Sequence, residues 1–364
     1  MAITEVDTQT TIVDEAKAEA FADQIADVLN NGALSLGLSI GHRTRLFDTL
    51  ADLPPATSQE IADAADLNER YVREWLGAMV TGGIITYNAG KETYELPPEH
   101  AASLTRAASP NNMAVFAQYV PMMGQVEDPI VNCFHRGGGV PYSAYPRFHQ
   151  IMAEESSQSV VAALIDMIVP LVPGLHDKLA QGIDVMDLGC GAGKAMNLLA
   201  KTYPNSHFTG FDMSDEAIGT ARADALKAGL DNVSFEIVEG STVGQTGPFD
   251  LVTAFDAIHD QAKPTEVLAG IGASLHPDGI FLMQDIAGSS HVHNNADHPI
   301  GPFLYTLSMM HCMTVSLSQD GPGLGAMWGE ELALEMLADA GFSNVTIKQL
   351  PHDIQNNYFI ATKS

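Results

Sequence analysis

Apolar positions recur at helical spacing from Ala16 to Leu53. They recur again from Glu69 to Thr81, where Tyr71, Val72, Trp75, Leu76, Met79 and Val80 share one face. Between them, Thr57-Ser-Gln-Glu60 is a capping-box pattern ahead of a short helix from Ile61. Gly82-Gly83 ends the later helix. Ile84–Tyr87 and Tyr94–Leu96 then flank Asn88-Ala-Gly-Lys91, which reads as a hairpin. Helix, turn, helix and hairpin predict a winged-helix unit over residues 1–105, with residues 1 to about 15 polar and frayed. Residues 106–175 read as a helical linker broken by Pro and Gly, with a long helix opening at Arg147–Met152.

From Ile183 the pattern changes to short apolar strands alternating with helices. Strands are expected at Asp184–Leu188, His207–Asp212, Val233–Val238, Asp250–Phe255 and Ile280–Asp285, then at Asn344–Gln349 and Tyr358–Thr362. The last two are close in sequence. The expected fold class is α/β, with a doubly wound, Rossmann-like seven-stranded sheet over 176–364 ending in an antiparallel hairpin. An excursion over about 286–327 interrupts the alternation, and Gly321-Pro-Gly-Leu-Gly325 reads as its hinge.

The first strand runs into Asp187-Leu-Gly189-Cys-Gly191-Ala-Gly193, and the second ends on Asp212. Glycines admit tight turns and close approach of a ligand, and an acid after the second strand can take both ribose hydroxyls. A dinucleotide loop reads G-x-G-x-x-G and aims a helix N-terminus at phosphate. Here the run is D-x-G-x-G-x-G. Its leading carboxylate repels phosphate and suits an ammonium group. The expected ligand is a nucleoside with a cationic amino-acid tail, namely S-adenosylmethionine, and a nicotinamide oxidoreductase is disfavoured.

Charge narrows the partners. The chain has 364 residues and a formal net charge of −28. Residues 1–110 hold 7 Lys and Arg against 17 Asp and Glu, a net of −10. DNA affinity comes largely from neutralising phosphates, so the winged helix reads as a packing and dimerisation module and no nucleic acid is expected. An anionic membrane is disfavoured on the same ground. Cys133, Cys190 and Cys312 form no metal pattern and read as free thiols. The start of the chain shows no basic segment followed by an apolar stretch, and a cytoplasmic protein is expected.

These residues resemble a class I S-adenosylmethionine-dependent methyltransferase. The resemblance rests on Val185-Met-Asp-Leu-Gly-Cys-Gly-Ala-Gly193, Asp212, Phe249-Asp-Leu-Val and Leu275-His-Pro-Asp-Gly-Ile-Phe-Leu. The N-terminal unit is similar to the dimerisation domain of small-molecule O-methyltransferases and to bacterial and mycobacterial methyltransferases with a winged-helix region. The resemblance implies a homodimer acting on a small-molecule acceptor, with S-adenosylhomocysteine as product. It implies that Asp187, Gly189, Gly191 and Gly193 line the methionine end of the cofactor. Asp212 would bind the ribose, Met213 the adenine, and Asp256 the sulfonium or methionine. Gly240 and Ser241 fall at the base edge, where the family has an Asp that meets the adenine amino group and this chain has Ser241 in its place or Glu239 to supply it. The alternative is a winged-helix regulator that binds S-adenosylmethionine as a ligand.

Methyl transfer needs a base only where the acceptor keeps its proton at neutral pH. In Phe255-Asp-Ala-Ile-His259-Asp260, His259 sits just past the fourth strand, where the resemblance implies a base histidine; a pocket-lining role is the other reading. Phe148, Met152, Tyr305, Met309 and His311 are expected to form the acceptor pocket, with Tyr119 and Tyr142 as further candidates. His291, His293, His298 and His311 raise the possibility of a metal, but their spacing completes no ligand set and none is expected.

Overall fold

The computed structural model describes residues 13–363, and the polar segment before Val13 lies outside them. The chain divides into two compact units, the first ending at Ala101 and the second beginning at Ala102. In the first, α1 (Glu15–Arg43) and α2 (Leu46–Asp52) precede α3 (Ser58–Ala65), α4 (Glu69–Thr81), β1 (Thr86–Asn88) and β2 (Thr93–Glu95). The capping box at Thr57 and Glu60 forms, with both reciprocal bonds present. On α4 the face Val72, Trp75, Leu76, Met79 is buried, and the Trp75 ring meets Phe47 edge-on at 5.3 Å. The hairpin pairs Tyr87 with Tyr94.

The helix expected over Ala16–Leu53 is broken. Thr44 Oγ1 donates to Ile40 O at 2.7 Å, and Arg45 adopts φ +63. The turn lets α2 bury Leu46, Phe47 and Leu50, and that gain in burial outweighs continuous helical periodicity.

In the second unit, the described strands form one seven-stranded sheet in the order β5-β4-β3-β6-β7-β9-β8. They are β3 (Asp184–Leu188), β4 (His207–Asp212), β5 (Val233–Ile237), β6 (Phe249–Phe255), β7 (Leu275–Ile286), β8 (Phe342–Leu350) and β9 (Asp353–Lys363). β3 to β7 pair in parallel, and β9 runs antiparallel to both β7 and β8. The fold expected from the sequence is therefore present. Successive strand residues face opposite cores: Val185, Leu251 and Leu282 meet Met196, Leu199 and Ile218, while Met186, Val252 and Met283 meet Leu268, Ile271 and Leu337. Both faces are covered, so the open ground for a ligand is the carboxyl edge.

The segment 106–175 folds into the second unit rather than standing apart. Its long helix is α-helical only over Phe148–Ser156 and continues as π turns at Ser157–Val161 and Leu164–Ile168. Ser157 Oγ donates back to Ala153 O at 2.6 Å at the changeover.

Candidate active site

The loop after β3 supplies the first part of the site. Gly189, Gly191 and Gly193 have φ of +71, +52 and +67. A Cβ on Gly193 would stand 2.5 Å from the Phe235 ring, so this glycine lets helix and strand pack closely. A Cβ on Gly191 would meet nothing within 4 Å, which leaves the loop open where a ligand would approach. Asp212 ends β4 beside it. Its carboxylate is aimed by two backbone donors, Gly191 N at 2.9 Å and Ser214 N at 2.8 Å. Each oxygen keeps acceptor capacity for a diol.

Asp187 sits deeper than the glycine spacing implied. It is 3% exposed, and its Oδ1 accepts from Thr253 Oγ1 at 2.6 Å. Burial pushes its carboxyl up to about 7, with the Thr253 bond opposing and the Asp212 charge adding. It braces the loop from inside the sheet.

A cavity next to this loop is lined by Met213, Ser241, Glu239, Lys263, Asp260 and Tyr142, among others. Glu239 ties one wall together, accepting from Ser241 Oγ at 2.7 Å and from Lys263 Nζ at 3.1 Å. Gly240 is buried behind it, where a Cβ would lie 3.2 Å from Val267. The opposite wall carries a hydrogen bond from the Tyr142 hydroxyl to Asp260.

His259 lies beyond β6 and is 2% exposed. Its Nδ1 is 2.8 Å from Asp285 Oδ1, at the end of the neighbouring strand β7. That oxygen also accepts from Ile286 N at 2.8 Å and from Trp328 Nε1 at 3.0 Å. The acid is thus fixed before it fixes the ring. Burial alone would push the imidazole down. The Asp285 carboxylate overrides it, with support from Cys312, and holds the group well above 6.5.

A second, largely apolar cavity opens on His259 and Asp256. Its walls include Phe116, Tyr119, Phe303, Leu304 and Leu307, with Cys312 and Gln355 as polar members. Asp256, expected at the cofactor, has φ +54 and faces this cavity together with His259. Phe148 stacks on His311 at 4.1 Å and 17°, and Met152 Sδ accepts from Tyr119 OH at 2.9 Å.

The five residues expected in the acceptor pocket, Phe148, Met152, Tyr305, Met309 and His311, line neither cavity. His311 is 3% exposed and wedged among Tyr142, Tyr145 and Phe148, and burial pushes it down to about 3. The Tyr305 hydroxyl accepts from Asn295 Nδ2 at 2.9 Å, and Met309 is half-buried in a π turn over Ser308–Cys312. Met309 and His311 both lie within that turn, which adds a residue to the helical repeat. Conversely, Asp285, Phe116, Phe303, Leu304, Leu307 and Gln355 were not singled out from the sequence. Asp285 alone had a signal there: an acid ending the strand after the one that carries His259.

Of the excursion histidines, His291 and His293 stack with each other at 5.7 Å and His298 bonds to Ala287 O. Among the described residues, the cluster with ligating atoms within 4.8 Å of one another is Asp256, His259 and Asp285. Asp285 Oδ1 there already serves the three donors named above.

Comparison with known proteins fits this geometry. Residues 32–106 match the family described as Rv2258c-like winged HTH domain, and residues 179–321 match the family described as methyltransferase domain. A ubiquinone biosynthesis O-methyltransferase of Shewanella halifaxensis is 30% identical over 121 residues, 32% of this chain and 50% of that protein. The match spans about half the length of such relatives. Among solved structures, a putative O-methyltransferase of Nostoc punctiforme superposes with a TM-score of 0.72 at 21% identity, covering 94% of this chain and 98% of that one. Human N-acetylserotonin methyltransferase, solved with its methyl donor, gives 0.68 at 17% identity, covering 98% and 99%.

Proposed function

The chain belongs to the class I S-adenosylmethionine-dependent methyltransferases that carry an N-terminal winged-helix domain, and from that premise we propose that it transfers a methyl group to the hydroxyl of a small-molecule acceptor. The observation that carries this reading is the His259–Asp285 pair opening on an apolar cavity beside a nucleoside-shaped loop. Asp212, with both oxygens aimed by backbone N–H groups, would hold the ribose hydroxyls. Gly191 gives the ligand room, and Met213, Gly240 and Ser241 belong to the base end. When bound, S-adenosylmethionine supplies a methyl already activated on a sulfonium.

The chain's own work is then orientation, exclusion of water and movement of one proton. Asp285 holds the imidazole through Nδ1, which leaves the other ring nitrogen to accept the hydroxyl proton. The apolar wall of Phe116, Phe303, Leu304 and Leu307 keeps bulk water from competing as nucleophile.

The same reading includes a homodimer. Phe21, Ile25, Val28, Leu36 and Ile40 form an apolar stripe on α1, each between 43% and 60% exposed. A second copy laid along α1 would cover it. We place the protein in the cytoplasm, with all three cysteines free. No described helix is long and apolar enough to cross a membrane.

A screen of hydroxyl-bearing small aromatics with methyl-labelled S-adenosylmethionine tests the function. The expected result is label on an oxygen of at least one acceptor, lost in Asp212→Ala. Cofactor binding with label found only on nitrogen or carbon acceptors would contradict it.

A further inference from the structure

The acceptor's charge can be argued from the wall of the His259 cavity; the argument rests on the methyl-transfer reading above. The described lining residues include no Lys or Arg. The charged groups facing it are Asp256 and His259. Asp256 stands in the left-handed region at φ +54, a backbone state a non-glycine residue keeps only when its surroundings enforce it. Here the bond from its N–H to Gln284 O at 2.9 Å helps to enforce it. Its buried Oδ1 has no hydrogen-bond donor. The His259 Nδ1 lies 3.7 Å away and is already engaged by Asp285 at 2.8 Å.

The surroundings repeat the negative sign. Burial pushes the Asp256 carboxyl up to about 7; His259 opposes this, and Asp285, Asp260 and Asp353 add to it. Burial, and next the Asp256 charge, push the Glu155 carboxyl up to about 8. A buried carboxylate oxygen without a donor is costly until a ligand supplies one, and a cation supplies both the donor and the compensating charge. A carboxylate or phosphate in the same place would face the Asp256 carboxylate, and the cationic group in the described wall, the His259 imidazolium, is already paired with Asp285.

We propose that Asp256 selects the acceptor: the cavity takes a flat aromatic alcohol that also carries a protonated amine, and rejects its carboxylate- or phosphate-bearing counterparts. The aromatic walls, Phe116, Tyr119 and Phe303, hold the ring, and the Asp256 carboxylate receives the ammonium. The rival use of Asp256 is to bind the ammonium of the methyl donor itself, and cofactor affinity separates the two.

Three phenols of one shape and different charge serve as probes: tyramine, 4-propylphenol and 3-(4-hydroxyphenyl)propanoate. Calorimetry on the full chain loaded with S-adenosylhomocysteine should rank them amine, neutral, acid, with the amine about tenfold or more tighter than the acid. Asp256→Asn should bring the amine to within about twofold of the neutral phenol, with S-adenosylhomocysteine affinity and thermal unfolding unchanged. The wild-type ranking needs no variant, so a variant that fails to fold leaves the test intact. The proposal is overturned if the acid binds as tightly as the amine, or if none of the three binds. It is also overturned if Asp256→Asn weakens cofactor binding while leaving the ranking in place. A wild-type protein that binds neither S-adenosylhomocysteine nor S-adenosylmethionine would instead remove the methyltransferase reading.

Discussion

His259 must lose a proton before it can accept one, and its neighbours oppose that loss. The imidazole is held well above 6.5 because the Asp285 carboxylate outweighs burial. A folded-state value above the unfolded one means the imidazolium stabilises the fold. That stabilisation is complete below the unfolded value of about 6.5 and fades as pH rises through the folded value. Base catalysis runs the other way, since the neutral ring is the competent form. On a hydroxyl acceptor, kcat/KM should therefore climb from neutral into alkaline pH with a midpoint above 6.5. Asp285→Asn should move that midpoint down, because burial then acts without its counterweight. A pH–rate profile of both proteins measures it, and identical midpoints would exclude Asp285 from the role.

The same residues show the limit of the chain as text. His259 was legible because it lies three residues past Asp256, at the end of an apolar run. Asp285 was not, because its partner lies 26 residues away and the two meet only when β6 and β7 pair. Asp187 reads like a ligand contact by spacing, and in the fold its Oδ1 accepts from Thr253 on the adjacent strand, a bond the spacing does not show.

Among the elements, β3 to β7 were legible because buried parallel strands carry short apolar runs closed by Gly or Asp. Boundaries moved where tertiary pairing extended a strand, as in β7, which begins at Leu275 rather than Ile280 because Leu275 pairs with Phe249. The cavity beside His259 is lined by Phe303, Leu304 and Leu307, ahead of the π turn over Ser308–Cys312 that carries Met309 and His311. Capping signals survived intact. Ser214 caps the helix Asp215–Ala228 by accepting from Ala217 N at 3.2 Å, and its own N–H aims Asp212. Ser214→Ala should cost about 1 kcal/mol of stability by denaturant unfolding. It should leave cofactor affinity nearly unchanged, since the backbone donor to Asp212 remains. A large loss of affinity at unchanged stability would show that the hydroxyl itself meets the ligand.

For the whole molecule, charge and exposed apolar surface point in different directions. The net charge of −28 keeps copies apart at long range, while the α1 stripe favours association on contact. Light scattering behind size exclusion should give a dimer that tightens with added salt, and Phe21→Glu with Val28→Glu should give a monomer. A wild-type monomer at high concentration and moderate salt would contradict the dimer.

The central claim is that His259, held by Asp285, takes the acceptor's proton. Its most direct test is single-turnover methyl transfer to a hydroxyl acceptor, with S-adenosylmethionine saturating, in wild type and His259→Ala. The account predicts a rate lower by about 100-fold or more in the variant, at unchanged cofactor affinity. Equal rates in the two proteins would contradict it.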